Sequence, residues 1–241
     1  MLVREIINEK IKYTVSSKDN RNVWVIGDVH GCAVEFEDIL SRIRLEDSNA
    51  RIIQLGDLID RGPFFTKIFD LCDEYNVETI IGNHEYNFWL ESLEIKECRS
   101  KSRKISHDIF KNLPLKKKEH ILERIARSSN FLFCESKFNN KTYLLSHAPL
   151  HKQPLNFNAS AQHWCMTTEQ KTPCEMSFNI HGHAHWDYTN IKTQLEDTKK
   201  TCYNIDSGLV YGGELTALCL SDFSYIQIKS KQTYWKEYPK L

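Results

Sequence analysis

Short apolar runs alternate with amphipathic stretches over the first hundred residues of the chain. Three mostly apolar runs are each followed directly by glycine, and they lie at 23–26, 51–55 and 77–81. The stretches that follow these runs space their apolar residues as one face of a helix does, over 33–43, 64–75 and 85–93. Three β-α units in succession predict a parallel sheet with right-handed crossover connections.

The pattern becomes helical and basic over about residues 86–129, which we interpret as a helical insertion. Its segment 96–118 holds nine Lys or Arg residues against two acidic residues, and Pro114 is placed to open a helix. Two interpretations remain open for this segment. It is either a solvent-facing, lysine-rich helix surface or a patch that binds a phosphate-rich substrate or nucleic acid.

Beyond residue 131 the chain is rich in short β-strands. Runs at 131–136 and 141–146 flank Asn139 and Asn140, which is a hairpin pattern. Further strands are expected at 177–180, 201–205, 214–220 and 225–228, whereas 151–175 is expected to be a long loop with a short helix. The sequence therefore predicts an α/β fold.

The composition is that of a globular protein in one domain spanning 1–241. Hydrophobic residues make up 41% and charged residues 27%, and 32 basic residues balance 32 acidic ones, so no global field favours nucleic acid or membranes. No apolar run is long enough to span a bilayer, and the N-terminus does not resemble a signal peptide. Eight cysteines without a Cys-x-x-Cys pair favour reduced thiols, and we expect a cytoplasmic protein without a membrane partner.

Polar clusters follow the predicted strands, and they contain most of the candidate chemistry. Five such clusters follow one another along the chain: GDVHG (27–31), GDLIDRG (56–62), GNHE (82–85), SHAP (146–149) and GHAH (182–185). Because the carboxyl ends of parallel strands share one edge of a sheet, we expect the clusters to be neighbours in space.

Counted as ligands, the clusters offer carboxylate, imidazole and amide donors but no thiolate. The candidates are Asp28, His30, Asp57, Asn83, His147, His183 and His185. This mixture suits Mn²⁺, Fe or Zn²⁺, and a pair of metals would share one carboxylate. We therefore expect two divalent metal ions, with Mn²⁺ the first choice. His107, His120 and His151 lie outside the clusters and are expected at the surface.

The five clusters together resemble the calcineurin-like metallophosphoesterase superfamily, and in particular its branch of bacterial and phage Ser/Thr phosphoprotein phosphatases and diadenosine tetraphosphate hydrolases. The resemblance spans about residues 23–218. It implies an αββα sandwich. It also implies a first metal held by Asp28, His30 and Asp57, and a second held by Asn83, His147 and His183 with Asp57 as the bridge. His185 matches a histidine that joins the first metal in many members of the superfamily.

The resemblance also implies a reaction, hydrolysis of a phosphoric ester by direct attack of a metal-activated water. It assigns protonation of the leaving group to His84, paired with Asp60. Arg61 can grip a phosphate oxygen through its fork of N–H donors. We expect Arg61 and Asn83 to contact the substrate, and Tyr211 either to stack on it or to be packed in the fold.

Two departures separate the chain from a conventional protein phosphatase. The last arginine is Arg127, so a second phosphate-binding arginine between the two C-terminal histidine motifs is missing, and Lys152 or Lys171 is a possible substitute. His185 is the other departure, because that branch generally lacks it. Both point towards phosphodiesterases or nucleotide phosphatases, whereas the tail at 204–217 resembles the bacterial and phage phosphatases and the dinucleotide hydrolases.

The leading hypothesis is a protein-phosphatase-type phosphomonoesterase acting on a phosphorylated protein or peptide. The alternative is a nucleotide-directed hydrolase, cleaving dinucleoside polyphosphates or phosphodiesters, with segment 96–118 binding the extra phosphates. A scaffold without activity predicts eroded ligands, yet all of them are present. A nucleic-acid partner is not expected, because the chain has no recognition-helix or zinc-finger pattern.

Overall fold

The computed structural model describes residues 13–16, 21–136, 141–149 and 178–236. Its strands are β1 (Tyr13–Ser16), β2 (Val23–Ile26), β3 (Arg51–Gln54), β4 (Val77–Thr79), β5 (Phe131–Ser136), β6 (Lys141–Ser146), β7 (Phe178–His181), β8 (Cys202–Asn204), β9 (Glu214–Cys219) and β10 (Tyr225–Lys229). Its α-helices are α1 (Ala33–Glu46), α2 (Phe65–Glu74), α3 (Asn83–Ser92), α4 (Lys101–Lys111), α5 (Leu115–Arg127) and α6 (Ile191–Glu196). Short 3₁₀ turns lie at His185–Asp187 and Leu209–Tyr211.

The strands form two five-stranded sheets, ordered β10-β9-β2-β3-β4 and β1-β5-β6-β7-β8. Strands β2, β3 and β4 are parallel, as the β-α units predict, and β9 joins β2 antiparallel. In the other sheet β6, β7 and β8 are parallel, and β5 pairs with β6 as the predicted hairpin does. The functional clusters therefore follow parallel strands in both sheets.

The two sheets pack against each other through one face of each. Along β2, Val23 and Val25 lie in a core shared with Leu132 and Tyr143 of the other sheet. The alternate residues Trp24 and Ile26 belong to a second core, with the helices. This alternation places β2 between two apolar layers, which explains why its burial is continuous.

The helices cover the outer face of the β2 sheet with apolar stripes. In α1 the buried residues include Phe36, Ile39, Leu40 and Ile43, the spacing expected of one helix face. In the insertion, Ser100 caps α4 by accepting a hydrogen bond from the Arg103 N–H, and Pro114 immediately precedes α5. Helix α5 buries Ile121 and Ile125 in the same core.

Most predicted elements are confirmed to within a few residues, and the α/β fold class is confirmed. Two elements were not predicted, the short strand β1 and the helix α6. The Asn139-Asn140 turn and the 151–175 loop lie outside the described residues, as do His151 and the possible arginine substitutes Lys152 and Lys171. Among the described cysteines all are free thiols, and no described helix is long and apolar enough to cross a membrane.

Candidate functional site

The polar clusters meet where the strands of both sheets end, and the backbone there adopts unusual conformations. Positive φ angles, rare for residues other than glycine, occur at His30, Asp57, Asp60, Arg61 and His183. Such conformations are costly, and they persist where the surrounding structure holds them. Their concentration in these loops marks the clusters as one site, as the sequence predicted.

One group of ligand atoms centres on His147. Its Nε2 lies 3.0 Å from Asn83 Oδ1, 3.1 Å from His183 Nδ1 and 3.4 Å from Asp57 Oδ1. The His147 side chain is fully buried, and Asp57 is nearly so. The ligand atoms of Asp57, His147 and His183 all lie within 4.8 Å of one another, and Asn83 Oδ1 lies beside that of His147, so four electron-pair donors are grouped here.

A second group lies on the other side of Asp57. His30 Nε2 is 3.5 Å from Asp57 Oδ2 and 4.0 Å from Asp28 Oδ2. The two groups share only Asp57, which presents Oδ1 to one and Oδ2 to the other. This is the position required of a bridging carboxylate.

Main-chain carbonyls orient two of the imidazoles. His147 Nδ1 lies 2.8 Å from the carbonyl oxygen of Leu55, and His30 Nδ1 lies 3.0 Å from that of Ile59. Since a carbonyl only accepts, each Nδ1 carries the proton and each Nε2 is left to face the ligand groups. Both rings are therefore held in the tautomer that a metal ligand needs.

Glycines leave room for the carboxylates. A Cβ on Gly182 would come within 2.1 Å of Asp28 Oδ1, and one on Gly82 within 2.3 Å of Asp57 Oδ1. The main-chain N–H of His183 donates to Asp28 over 3.2 Å. Close backbone approach therefore sets the positions of both carboxylates, and glycine is required at these two points.

The electrostatics of the site favour bound positive charge. Burial alone lowers the pKa of His147, but the carboxylates of Asp57 and Asp28 outweigh it and raise the pKa to about 10. Burial and the neighbouring His147 lower the pKa of His183 to about 3, so its ring stays neutral. Burial and nearby Asp206 raise the pKa of the Asp28 carboxyl well above its usual range. Donor chemistry and charge therefore fit divalent cations in both groups.

His84 and Asp60 form a buried pair beside the two groups. His84 Nδ1 lies 2.6 Å from Asp60 Oδ2, while His84 Nε2 lies 3.8 Å from Asp57 Oδ2. One ring nitrogen is thus held by a carboxylate, and the other faces the shared ligand. This arrangement can hold a proton at Nε2 next to a reacting group.

Arg61 and three aromatic rings line the other flank of the site. Arg61 Nη1 lies against His30 Nε2, and its Cζ is 5.4 Å from the centre of the Tyr211 ring. His185 stacks on Tyr211 with ring centres 4.4 Å apart. Trp186 is 62% exposed, and its ring centre lies 5.9 Å from that of His183. The predicted residues Arg61, Tyr211 and His185 are therefore neighbours at the site.

Among the predicted histidine and aspartate ligands, Asp28 and His185 lie outside the tight clusters of candidate ligand atoms. Within the described residues, the clusters whose ligand atoms all lie within 4.8 Å of one another comprise His30, Asp57 and His84, then Asp57, His147 and His183, and lastly Glu91, Cys98 and His107. Asp28 and His185 are in none of them; Asp28 Oδ2 lies 4.0 Å from His30 Nε2, whereas the His185 ring is stacked on Tyr211. The role of His185 as a ligand remains a prediction.

Two buried acids were overlooked in the sequence. Glu85 accepts hydrogen bonds from the main-chain N–H groups of Asp57, Ile59 and Gly82, and it joins two of the loops. Burial and the Asp57 carboxylate raise the pKa of Glu85 to about 7. Asp206 is buried close enough to Asp28 to raise its pKa. The position of Glu85, three residues after Gly82 at a helix start, was an available signal.

The helical insertion is not simply a solvated surface. Arg103 turns inward to Glu91, and both Ser106 and His107 are buried. The expectation that His107 lies at the surface was wrong, because its ring stacks on Phe88 and its Nε2 contacts Glu91. The side chain of His120, by contrast, is 41% exposed and pairs with Asp73, as expected of a surface histidine.

Comparisons with known proteins agree on one family. Residues 21–187 match the family described as calcineurin-like phosphoesterase. Serine/threonine-protein phosphatase 1 of Salmonella typhimurium is 24% identical over 86% of this chain and 96% of its own length. The asymmetrical bis(5'-nucleosyl)-tetraphosphatase PrpE of Oceanobacillus iheyensis is 26% identical over 88% of this chain and 94% of its own length.

Solved structures share the fold at low sequence identity. A protein proposed to be a diadenosine tetraphosphatase superposes with a TM-score of 0.71 at 17% identity, covering 91% of this chain and 98% of that one. A serine/threonine phosphatase from Saccharomyces cerevisiae superposes with a TM-score of 0.55 at 13% identity, covering 98% of this chain and 87% of that one. The sequence relatives named above include both a phosphatase and a dinucleotide hydrolase.

Proposed function

This chain belongs to the calcineurin-like phosphoesterase family, whose members are binuclear metal-dependent hydrolases, and on that premise we propose that it is a protein-phosphatase-type phosphomonoesterase. The hydrolase class follows from the family. The choice of a phosphomonoester, the metal and the residue roles are our proposal. Salmonella Ser/Thr phosphatase 1, which aligns over nearly its whole length, supports the choice.

The metal assignment uses the two groups that share Asp57. Asp28, His30 and Asp57 would hold the first ion, and Asp57, Asn83, His147 and His183 the second, with His185 assigned to the first by the resemblance. Mn²⁺ is the proposed occupant, and Fe or Zn²⁺ would suit the same donors. When bound, two such ions neutralise phosphate charge and supply an activated water.

Arg61 and Asn83 are the proposed phosphate contacts of the chain itself. The Arg61 guanidinium lies at the His30 edge of the site, and its planar fork can bind two oxygens of a phosphoryl group. Asn83 presents its side-chain oxygen to His147, and its amide N–H₂ remains a donor for a substrate oxygen. The Tyr211 ring centre lies 5.4 Å from the Arg61 guanidinium carbon. These residues would orient the phosphate for in-line attack.

The observation that carries the proposal is the buried 2.6 Å contact between His84 Nδ1 and Asp60 Oδ2. An imidazole held in this way can donate a proton from Nε2 to a leaving oxygen. Serine and threonine alkoxides are poor leaving groups that need this proton. The leaving phosphate of an anhydride is far less basic and needs it less. A firmly held proton donor therefore supports a phosphomonoester of an alcohol.

The first test is turnover of Mn²⁺-loaded protein on four substrates: p-nitrophenyl phosphate, a phosphoserine peptide, bis-p-nitrophenyl phosphate and diadenosine tetraphosphate. The proposal expects the highest kcat/KM on the peptide and the aryl monoester. Highest kcat/KM on the diester or the dinucleotide would overturn it in favour of the alternative.

The His84→Asn variant tests the proton donor. It should keep its metal content and lose about 100-fold or more in turnover of the phosphoserine peptide, but much less with p-nitrophenyl phosphate. His120→Asn, at a partly exposed histidine outside the site, is the matched control and should behave as the wild type. Equal losses on both substrates would rule out the proton-donor role.

Trp186 favours a second candidate, hydrolysis of dinucleoside polyphosphates. An exposed indole beside His183 offers a surface on which a nucleobase can stack. The relative from Oceanobacillus iheyensis is named a bis(5'-nucleosyl)-tetraphosphatase. If this candidate is right, Trp186→Ala should raise KM for diadenosine tetraphosphate about 10-fold with p-nitrophenyl phosphate unaffected. Tyr225→Ala, at an exposed tyrosine on β10, is the control.

A further inference from the structure

A buried polar chain links the His84–Asp60 pair to the helical insertion. Asp60 Oδ2 faces His84, while Asp60 Oδ1 accepts a hydrogen bond from Ser106 Oγ on α4 over 2.5 Å. Arg103, one turn earlier on α4, places Nη1 3.8 Å from Asp60 Oδ2. The side chain of Asp60 is fully buried, so the insertion supplies contacts to both of its oxygens.

Arg103 is itself fixed from the far side. Its Nε lies 3.1 and 3.2 Å from the two carboxylate oxygens of Glu91, on α3. Glu91 Oε2 in turn lies 3.0 Å from His107 Nε2, and the His107 ring stacks on Phe88 with ring centres 4.4 Å apart. The guanidinium thus bridges the carboxylates of Glu91 and Asp60 and offsets part of their negative charge.

The backbone conformation of Asp60 gives a reason for these contacts to its carboxylate. Asp60 adopts a φ of +70°, a conformation in which a non-glycine backbone is strained. A carboxylate on a strained loop can turn away unless both oxygens have partners, and an unpartnered buried oxygen is costly. Ser106 and Arg103 approach the oxygens of Asp60 from a helix, which is more rigid than a loop.

We infer that Ser106 and Arg103 are positioning residues, through which the insertion holds Asp60 and so aims His84 at the leaving group. The inference rests on the proposed role of His84 as the proton donor. In this inference the helical insertion orients the proton donor. Neither residue touches the reacting atoms.

The test compares kcat and KM for aryl phosphates whose leaving groups range from p-nitrophenol to phenol, at equal metal content. Ser106→Ala should lower kcat for phenyl phosphate about 10- to 100-fold, the range for loss of a hydrogen bond to a charged group. With p-nitrophenyl phosphate kcat should change less than about 3-fold, and KM should stay near the wild-type value for both.

Matched variants separate positioning from a general loss of structure. Ser106→Thr keeps the hydroxyl and should restore much of the lost kcat. Ser102→Ala removes another buried hydroxyl of α4, one that contacts Ser100 instead of Asp60, and should leave the leaving-group dependence unchanged. If Ser106→Ala does not fold, Arg103→Lys, which cannot span Glu91 and Asp60 together, should show the same dependence in weaker form.

The outcomes also distinguish this inference from the proposed function. If His84→Asn shows leaving-group-dependent losses and Ser106→Ala and Arg103→Lys do not, the proton donor stands and the positioning role is overturned. A uniform loss across all leaving groups in the two insertion variants would also overturn it. If His84→Asn itself shows no such dependence, the failure lies with the proposed function.

Discussion

The main-chain N–H of His84 donates a hydrogen bond to Oδ1 of Asp57 over 3.0 Å. Oδ1 is the same atom that faces His147, and Oδ2 faces His30 and His84. The proposed bridging carboxylate therefore also fixes the first turn of α3, from which His84 projects. In the proposed roles, metal binding and proton donation would be coupled through this one side chain.

Asp57→Asn should impair both functions of that carboxylate. An amide has one acceptor oxygen, so it cannot serve two ions and also accept from His84 N–H. We expect less than one equivalent of tightly bound Mn²⁺ and at least an about 100-fold loss in kcat. Metal analysis after gel filtration measures the first quantity. Two retained equivalents would exclude Asp57 as the bridge, and Asp73→Asn, at an exposed aspartate, is the control.

Gly182→Ala should weaken metal binding more than it weakens the fold. The new Cβ would lie 2.1 Å from Asp28 Oδ1, and the carboxylate would have to move. We expect an about 10- to 100-fold weaker affinity for the first metal, measured by Mn²⁺ titration. Gly213→Ala provides the contrast, because its Cβ would meet the main-chain oxygen of Ser207 and should lower stability. Unchanged Mn²⁺ affinity in Gly182→Ala would refute the role of Asp28 as a ligand.

Glu85→Gln should loosen the loops that carry the ligands. The carboxylate accepts from three main-chain N–H groups, and a glutamine would turn its N–H₂ towards at least one of them. We expect the free energy of unfolding to fall by about 1–3 kcal/mol, measured by urea denaturation. Glu74→Gln, at an exposed glutamate, should cost little by comparison. A loss no larger than that of Glu74→Gln would mean that Glu85 does not organise the site.

His181 should contribute to the pH dependence of stability. Burial lowers its pKa from 6.5 to about 4, so the unfolded chain binds a proton at His181 before the folded protein does. The sign follows from linkage: stability is fully present above about pH 6.5 and is lost as the pH falls towards 4. For the wild type, this residue should account for about 1–2 kcal/mol of the difference in stability between pH 7 and pH 5.

The variant His181→Asn retains a donor for the Gly182 carbonyl but cannot titrate. Urea unfolding at pH 7 and pH 5 should therefore show a smaller difference in the variant than in the wild type. An identical difference in the two proteins would show that folding does not lower the pKa of His181. Comparing the difference in unfolding free energy between pH 7 and pH 5 remains valid even if the substitution lowers stability at both pH values.

Much of this protein could be predicted from local patterns. The strands before Gly27, Gly56 and Gly82 and the helices after them follow from apolar periodicity, because that periodicity determines which face can be buried. The predicted ligands Asp28, His30, Asp57, Asn83, His147 and His183 come together, since each follows a strand whose end lies at the same edge. Those features depend on residues close to one another in the chain or on sheet topology.

Other features became visible only when distant segments were packed together. A pattern of Lys and Arg in 96–118 predicts a charged helix, but it cannot show that Arg103 turns inward while Lys101 and Lys104 face solvent. The bond from Ser106 to Asp60 joins residues that are 46 positions apart. His107 was misjudged for the same reason, because its burial is created by Phe88 on another helix.

The sequence by itself thus determined the order of the β-α units, the clusters of candidate ligands and the family they resemble. These follow from local periodicity and from the chemistry of adjacent residues. Only the tertiary structure decided which carboxylate atom faces which imidazole, that Glu85 and Asp206 are buried beside the ligands, and that the insertion contacts Asp60. Those relationships depend on which buried polar groups find partners across the fold, and burial is a property of the packed chain as a whole.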